Sequence, residues 1–301
     1  MLSRKNKRFI LKLVSLISVV RGYNILIIVI AQYLTSIFIL APDLRLRDIL
    51  FDINLFFIVL AGVFTIAAGY IINNFYDSEK DLINRPRKTM IDRLVSQNTK
   101  LSIYFVLNFL AVIAASYVSF RAVVFYSLYI FGIWIYSHKL KKIPFAGNLV
   151  AATLAITPFF AVFIYYGNLA PVIFVHGSFL FLVIAMREMV KDLENLKGDL
   201  VLNYRTIPVI FGVKTSKWLL TILAGLTVVP IYFLVNYYAL GYMGIYFYGS
   251  VVLLIVFLSI LWISVSRPHY ILLHNILKFI IVSGVFCIIL LDASVVLNRI
   301  F

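Results

Sequence analysis

The sequence predicts an all-α membrane protein in which nine transmembrane helices bundle around a central cavity as a single domain spanning residues 1–301. Hydrophobic residues make up 63% of the chain and charged residues only 13%, about half of the ~25% charged residues found in soluble domains. Apolar runs near or above 18 residues recur along the whole length, and runs of that length predict membrane-spanning helices.

Each predicted span is an apolar run bounded by charged or turn-forming residues. In chain order, the predicted spans cover residues 14–40, 54–77, 101–119, 122–137, 147–166, 169–190, 216–238, 243–264 and 271–297. Small residues interrupt the second span, which predicts close helix packing there; they are Ala61, Gly62, Ala67, Ala68 and Gly69. The two longest loops, residues 78–100 and 191–215, have mixed charge and helical periodicity, so we expect short cap helices over the cavity mouth.

The net charge of +15 follows a topological pattern. Basic residues cluster at the N-terminus and in alternate loops, which is the positive-inside pattern of membrane proteins and not a nucleic-acid surface. We therefore expect a cytoplasmic N-terminus, an external C-terminus and a bacterial inner membrane. The lipid bilayer is the expected surrounding, with no nucleic-acid partner and no obligate protein partner.

A polar stripe closes the second span. Asn73, Asp77 and Asp81 recur every four residues and so share one helical face. Carboxylate and amide oxygens, without sulfur or imidazole, suit Mg²⁺, which commonly shares its ligands with substrate phosphates. Taken alone, the stripe could equally be ordinary surface charge at a helix end.

A second stripe follows the sixth apolar run. Glu188, Asp192, Asn195 and Asp199 are spaced by four, three and four residues, again on one helical face. Two such stripes, each at the end of a membrane helix, are unusual for solvated surface. If they face one another, they predict a site for a diphosphate and its metal ions.

These motifs resemble the UbiA superfamily of intramembrane polyprenyl transferases. The first element of the resemblance comprises Asn73, Asn74, Asp77, Asp81 and Asn84-Arg85-Pro86. The second comprises Lys191-Asp192, Asn195, Gly198-Asp199, Arg205-Thr206, Pro208 and Gly212. The third comprises Tyr136-Ser137, Leu140, Lys141-Lys142, Pro144 and Gly147-Asn148, and the fourth Arg21 and Asn24. The chain departs from the family pattern at Asn74 and Asn195, where many members have Asp.

The resemblance implies Mg²⁺-dependent cleavage of an allylic polyprenyl diphosphate and transfer of the prenyl group to a hydrophobic acceptor. It implies a catalytic set of Asp77, Asp81, Asp192, Asp199 and Tyr136. Two Mg²⁺ ions would be held by Asn73, Asp77, Asp81, Asp192, Asn195 and Asp199. Substrate would be bound by Arg21, Asn24, Asn73, Asn74, Arg85, Lys142, Lys191, Asn195 and Arg205.

Basic residues near a membrane surface have a second interpretation. Positive-inside bias alone would place cations in these loops, and Arg21 could extend to the interface instead of facing a cavity with Asn24. Lys278, in the last span, is interpreted as reaching the interface in this way, and His176 as a helix-packing residue.

The acceptor is the least determined part of the hypothesis. We favour a lipid- or quinone-pathway acceptor, and specifically geranylgeranylglycerol phosphate, over an aromatic acid of the 4-hydroxybenzoate or naphthoate type. Three other classes stay open: an ion-coupled transporter, an enzyme that joins a nucleotide-activated alcohol to a lipid, and a catalytically silent prenyl-lipid binder. Acids at helix ends, not at the membrane midplane, favour an enzyme over a transporter.

Overall fold

A computed structural model describes residues 4–292, and all the regular structure within them is helical. Its α-helices, in chain order, are α1 (Arg4–Val20), α2 (Gly22–Thr35), α3 (Leu46–Leu50), α4 (Ile53–Tyr76), α5 (Ser78–Asn84), α6 (Pro86–Asp92), α7 (Gln97–Val118), α8 (Phe120–His138), α9 (Ala146–Tyr166), α10 (Pro171–Glu194), α11 (Leu196–Val201), α12 (Ile207–Ile210), α13 (Gly212–Tyr237), α14 (Met243–Ile263) and α15 (Arg267–Cys287). Short π or 3₁₀ segments extend α2 to Leu40, follow α8 over Leu140–Lys142, and extend α15 to Leu291.

The prediction of an all-α protein with nine membrane spans is confirmed. Within residues 4–292, nine helices are long and apolar enough to cross a membrane: Gly22–Leu40, Ile53–Tyr76, Gln97–Val118, Phe120–Lys142, Ala146–Tyr166, Pro171–Glu194, Gly212–Tyr237, Met243–Ile263 and Arg267–Leu291. The chain is therefore an integral, multi-pass membrane protein. The predicted end of the last span, residues 293–297, lies outside the described residues.

The first span begins later than predicted. Arg21 adopts a left-handed conformation with φ 53° and ψ 54°, which separates α1 from α2. A residue with positive φ cannot continue a right-handed helix. The first apolar run is therefore two helices, of which only α2 and its π-helical extension form the span.

Both predicted groups of cap helices are present. α5 and α6 occupy the loop after α4, and α11 and α12 occupy the loop after α10. Pro86 stands at the start of α6, a position where proline loses no intrahelical hydrogen bond. α5 and α11 contact each other, so the two loops meet over one end of the bundle, here called the site end.

Helices α4 and α10 organise the bundle. α4 packs along α7 and α8, and α10 packs against α9, α13 and α15. Ala61 and Ala68 on α4 are fully buried, and a Cβ on Gly69 would lie 3.1 Å from Ile133 on α8. The small residues of α4 therefore allow the close helix approach that the sequence predicts.

Pro158 interrupts α9 without leaving a broken hydrogen bond. Proline has no N–H to give to the carbonyl four residues earlier, which here belongs to Leu154. The Tyr129 hydroxyl donates to that carbonyl at 3.0 Å. The Pro158 carbonyl, in turn, accepts from Gln32 Nε2 at 2.9 Å. These side chains join α2, α8 and α9 inside the bundle, where no water competes.

Candidate active site

A polar cavity lies at the site end, between the ends of α4 and α10. Its lining comes from both predicted stripes, the α1–α2 break, α8, the α8–α9 turn, the start of α9 and the cap helix α5. The residues are Arg21, Asn73, Asp77, Lys80, Asp81, Arg85, Tyr136, Lys141, Gly147, Asn148, Glu188, Lys191, Asp192 and Asn195. The two stripes, 107 residues apart between Asp81 and Glu188, therefore face a common space.

The first stripe is held by a lysine from the α8–α9 turn. Lys141 Nζ lies 2.7 Å from Asp77 Oδ1 and donates to Asn73 Oδ1 at 3.3 Å. The side chains of Lys141 and Asp77 are 7% and 16% exposed, so the pair is largely shielded from water. The lysine supplies the positive charge that a buried carboxylate requires.

The second stripe leaves an oxygen without a partner. Asp192 Oδ2 accepts from Asn148 Nδ2 at 2.8 Å. Asn195 is 6% exposed, and its side-chain oxygen has no hydrogen-bond partner among the described residues. A buried amide oxygen without a donor is unfavourable, so this oxygen is suited to accept a ligand.

Asp199 is fully buried behind the cavity. Lys80, which does line the cavity, lies 2.5 Å from Asp199 Oδ1, and Thr206 donates to Asp199 Oδ2 at 3.3 Å. Burial raises the pKa of Asp199, against the opposing effect of Lys80. Burial lowers the pKa of Lys80, but the charges of Asp199, Asp77 and Asp192 together outweigh it, so the net pKa is raised.

Asp81 lines the cavity beside the first stripe. Burial raises its pKa, and the negative charge of Asp77 raises it further. Tyr136, from α8, also lines the cavity and is partly buried. Three of the predicted catalytic carboxylates, Asp77, Asp81 and Asp192, and the predicted tyrosine therefore border the same space.

The predicted pair Lys142 and Arg205 lies outside the cavity lining. Lys142 Nζ lies 4.9 Å from the centre of the Tyr204 ring, and the Lys142 carbonyl accepts from the Arg205 backbone N–H at 3.1 Å. Lys80 Nζ lies over the same ring at 5.0 Å, and burial raises the Tyr204 pKa to about 12. Lys141, and not Lys142, points at the stripe because these neighbours lie on different sides of a 3₁₀ turn.

Asn74 also lies outside the cavity lining, contrary to its predicted place among the substrate-binding residues. Its Nδ2 donates to Asp92 at 3.3 Å, and its Oδ1 accepts from Lys100 at 2.9 Å. Asp92 also accepts from Ser18 at 3.2 Å. Asn74 therefore joins α1, α4, α6 and α7, because it follows Asn73 by about 100° around the helix.

The two residues of the first span are separated by the helix break. Arg21 lines the cavity, and its guanidinium lies 5.3 Å from the centre of the Tyr70 ring. Asn24 lies outside the lining, and its Nδ2 donates to the Tyr70 hydroxyl at 3.1 Å. Arg21 thus faces the cavity and packs over the Tyr70 ring, while Asn24 holds the Tyr70 hydroxyl by a hydrogen bond.

Arg85 connects the cavity to α15. It lines the cavity and forms an ion pair with the buried Glu194 at 2.6 Å. Arg267 and His274 of α15 approach the same carboxylate at 3.6 and 3.8 Å. The carboxylate of Glu194, at the end of α10, therefore joins Arg85 of the cap region to α15.

Sequence reasoning did not assign roles to Lys80, Lys141, Gly147 and Asn148, which all line the cavity. Lys141, Gly147 and Asn148 belong to the third motif, so that motif could have identified them. For Lys80, adjacency to Asp81 is the only signal in the sequence. Gly147 is required because a Cβ there would lie 3.1 Å from the Leu140 carbonyl oxygen.

The donor set fits Mg²⁺ that shares its ligands with a substrate phosphate. In the described part of the chain, no three acidic, His or Cys side chains are close enough to hold a metal without other ligands. Mg²⁺ at phosphate sites needs only one or two carboxylates, with the rest supplied by substrate oxygens and water. The unpartnered oxygen of Asn195, opposite the carboxylates of the first stripe, agrees with that arrangement.

A second, apolar cavity of about 550 Å³ lies nearer the opposite end of the bundle. It is bordered by α2, α9, α10, α14 and α15, with aromatic residues such as Phe159, Phe163 and Phe247. His176 also lines it, 5.8 Å from Phe247 between ring centres. Its size and lining suit a hydrocarbon chain.

The sequence profile described as the UbiA prenyltransferase family matches residues 19–270. Among curated relatives, the digeranylgeranylglyceryl phosphate synthase of Thermococcus sibiricus is 34% identical over 166 residues, covering 54% of this chain and 57% of the relative. That of Pyrococcus furiosus is 32% identical over 190 residues, covering 62% and 65%. The chain thus matches less than two thirds of the length of these two relatives.

Solved structures show a shared fold. The structure of a digeranylgeranylglyceryl phosphate synthase superposes with a TM-score of 0.68 and 20% identity, covering 92% of this chain and 97% of the other. A UbiA homologue from Archaeoglobus fulgidus bound to GPP and Mg²⁺ has a TM-score of 0.67 and 15% identity, covering 91% and 99%.

Proposed function

Because the chain belongs to the UbiA prenyltransferase family, we propose that it cleaves an allylic polyprenyl diphosphate and transfers the prenyl group to the hydroxyl of a prenylglycerol phosphate. The observation that carries the proposal is the convergence of the two polar stripes on one cavity. Relatives named digeranylgeranylglyceryl phosphate synthase support this acceptor.

In the proposed reaction, the bond between the allylic carbon and the diphosphate oxygen breaks, and an ether bond to the acceptor oxygen forms. The diphosphate leaves with the bonding electrons, and the proton of the acceptor hydroxyl passes to the released diphosphate. Negative charge therefore grows on the diphosphate while positive charge grows on the allylic carbon. An active site for this reaction must stabilise both charges in a space closed to bulk water.

We propose that two Mg²⁺ ions would be held between the two polar stripes. The ligands would be Asn73, Asp77 and Asp81 on one wall and Asp192, Asn195 and Asp199 on the other. When bound, Mg²⁺ neutralises the charge of the leaving diphosphate. A solved UbiA homologue bound to GPP and Mg²⁺ supports its use. Asp199 is the member furthest from the cavity, since Lys80 lies between them.

The chain's own cations act on the same charge. Lys80 and Lys141 pair with Asp199 and Asp77 and are placed to donate to phosphate oxygens once metal neutralises those carboxylates. Arg85 and Arg21 border the cavity with them. Tyr136 can present its ring to the allylic cation, which is attracted to the face of an aromatic ring.

The apolar cavity is the proposed site for the hydrocarbon tail. Its volume of about 550 Å³ and its aromatic lining are compatible with a chain of several isoprene units. The tail would then lie along α10, from the polar cavity toward the opposite end of the bundle. This arrangement would bury the apolar chain while the diphosphate stays at the polar end.

We propose that the site end faces the cytoplasm, with the N-terminus on the same side, because the basic loops lie there. The relatives named above come from archaea, so the expectation of a bacterial inner membrane gains no support from them. Placement of the acids at helix ends, with Asp77 as the C-cap of α4, favours an enzyme over an ion-coupled transporter.

Purified protein supplied with Mg²⁺, labelled geranylgeranyl diphosphate and geranylgeranylglycerol phosphate tests the proposal through diphosphate release. We expect Asp77→Asn and Asp192→Asn each to lower the rate at least 100-fold. Asp48→Asn is the matched control, because Asp48 pairs with Arg45 at an exposed site. Release that depends on neither aspartate nor on Mg²⁺ would reject the proposed site. Release with 4-hydroxybenzoate, but not with the glycerol phosphate, would replace the acceptor.

A further inference from the structure

Two cations of α10, Arg187 and Lys191, contact Glu188, a residue of the polar cavity lining. Arg187 Nη2 lies 3.0 Å from Glu188 Oε1, and Lys191 Nζ lies 2.8 Å from Glu188 Oε2. Glu188 is 8% exposed, and both Glu188 and Lys191 line the cavity. One buried carboxylate therefore holds two cations about one helical turn apart. We name Arg187 and Lys191 the α10 cation pair.

The α10 cation pair has hydrogen-bond donors to spare. Arg187 Nε is buried and has no hydrogen-bond partner among the described residues. Buried donors without acceptors are unfavourable. An anionic group that entered beside Glu188 would give the guanidinium a second acceptor.

The position of Arg187 along α10 separates it from the diphosphate, while Lys191 directly precedes Asp192. Arg187 precedes Asp192 by five residues and Glu188 precedes it by four, which places them about 7.5 and 6 Å nearer the membrane centre at 1.5 Å per residue. Lys80 and Lys141 already serve the carboxylates of the metal stripes. Two anionic substrates in one cavity repel each other unless each has its own counter-charge.

We propose that Arg187 and Lys191, held in place by Glu188, bind the phosphate headgroup of the acceptor. The inference rests on the proposed function and adds a binding site for its second substrate. The guanidinium binds two phosphate oxygens through its parallel donors, and the lysine adds a point charge. Glu188 keeps the two cations together before the acceptor arrives.

The test compares Arg187→Gln with wild type in steady-state kinetics, with each substrate varied in turn. We expect the KM for geranylgeranylglycerol phosphate to rise at least tenfold, while the KM for geranylgeranyl diphosphate changes less than twofold. Arg187→Lys should recover part of the loss. With geranylgeranylglycerol, which lacks the phosphate, the variant and wild type should have similar KM values.

Lys278→Gln is the matched control, because Lys278 is another cation within a span and its Nζ lies over the Tyr23 ring at 4.6 Å. This control should leave both KM values unchanged. Equal rises in both KM values for Arg187→Gln, or an unchanged KM for the glycerol phosphate, would overturn the inference. A selective loss with a 4-hydroxybenzoate acceptor would also overturn it, since it would assign the pair to a carboxylate.

Titration of geranylgeranylglycerol phosphate onto the protein without prenyl diphosphate separates the inference from the proposed function. Binding to wild type that is at least tenfold weaker in Arg187→Gln supports the α10 cation pair even if no transfer occurs. Equal binding by wild type and Arg187→Gln rejects the pair even if wild type transfers the prenyl group.

Discussion

Lys141 and Asp77 form an ion pair of 2.7 Å in the lining of the polar cavity, where Mg²⁺ would be expected to bind. The lysine comes from the turn after α8 and the aspartate from the end of α4. In the metal-free protein, the lysine is therefore the counter-ion of the carboxylate. The two cations, lysine and Mg²⁺, should compete for or share the same negative charge.

Lys141→Met should make the protein more dependent on Mg²⁺. Without the lysine, Asp77 is an uncompensated and largely buried carboxylate, which should cost about 1–3 kcal/mol in the presence of EDTA, because its partial exposure reduces the full cost of a broken buried pair. Thermal unfolding of the detergent-solubilised protein, in EDTA and in Mg²⁺, measures the effect. We expect a larger Mg²⁺-induced rise in Tm than in wild type. Lys142→Met is the control, and equal shifts in Lys141→Met and wild type would contradict the prediction.

Asn74→Asp should destabilise the protein without strengthening Mg²⁺ binding, although it introduces the residue that many family members have. The amide donates to Asp92, and a carboxylate there would lose that hydrogen bond and repel its neighbour. The loss should be about 1–2 kcal/mol, reduced by the nearby Lys100. Tm measures the loss of stability, and the Mg²⁺ dependence of activity measures whether Mg²⁺ binding changes. The double variant Asn74→Asp, Asp92→Asn should recover stability. If Asn74→Asp instead lowers the Mg²⁺ concentration needed for half-maximal activity, residue 74 would belong to the metal site.

Gly198→Ala should disturb the contact between the two cap regions. A Cβ on Gly198 would lie within van der Waals overlap of Asn84 Nδ2. Asn84 accepts from the Gly198 N–H and donates to the Asn195 carbonyl. We expect a loss of about 1–3 kcal/mol in stability and at least tenfold in activity. Gly225→Ala is the control, since open space surrounds that position. Wild-type activity in Gly198→Ala would show that the cap contact is dispensable.

Tyr129→Phe should cost about 1–3 kcal/mol, because the Leu154 carbonyl at the proline break of α9 would lose its donor. In a Pro158→Ala background, the backbone N–H of residue 158 can bond to that carbonyl, so the same change should cost less. A double-mutant cycle on thermal or denaturant unfolding measures the difference. Equal costs in the two backgrounds would mean that the hydroxyl and the proline are not coupled.

Gly177→Phe should shorten the preferred prenyl chain. Gly177 lines the apolar cavity, and open space surrounds its missing Cβ. A phenyl ring there would occupy volume needed by the end of a long chain. We expect the kcat/KM ratio of geranylgeranyl to geranyl diphosphate to fall about tenfold. Gly225→Phe, at an exposed position of α13, should leave the ratio unchanged. An unchanged ratio in Gly177→Phe would reject the proposal that the prenyl tail binds in this cavity.

Some of the site was predictable because helical spacing is a local property. Spacing by four placed Asn73, Asp77 and Asp81 on one face, and the structure brings these residues to the cavity. Neighbouring residues are harder to separate. Asn73 and Asn74 point about 100° apart, and only the packing of α4 determines which of them faces the cavity.

Long-range partners could not be read from spacing. Asp77 and Asp192 meet Lys141 and Asn148 respectively through the packing of α4, α9 and α10. The ion pair between Lys80 and Asp199 joins the two cap regions, which are more than 100 residues apart. The left-handed backbone conformation of Arg21 could not be predicted either, because an arginine in an apolar run gives no local signal for a positive φ.

The shared carboxylate of Glu194 has a mechanical consequence. Arg85 reaches it from the segment between α5 and α6, while Arg267 and His274 reach it from α15. The cap helices α5 and α6 are therefore linked to α15 through the carboxylate of Glu194. Because Glu194 ends α10, movement of α5 and α6 away from the cavity must either break the Arg85 ion pair or displace the end of α10, and with it the contacts of Arg267 and His274.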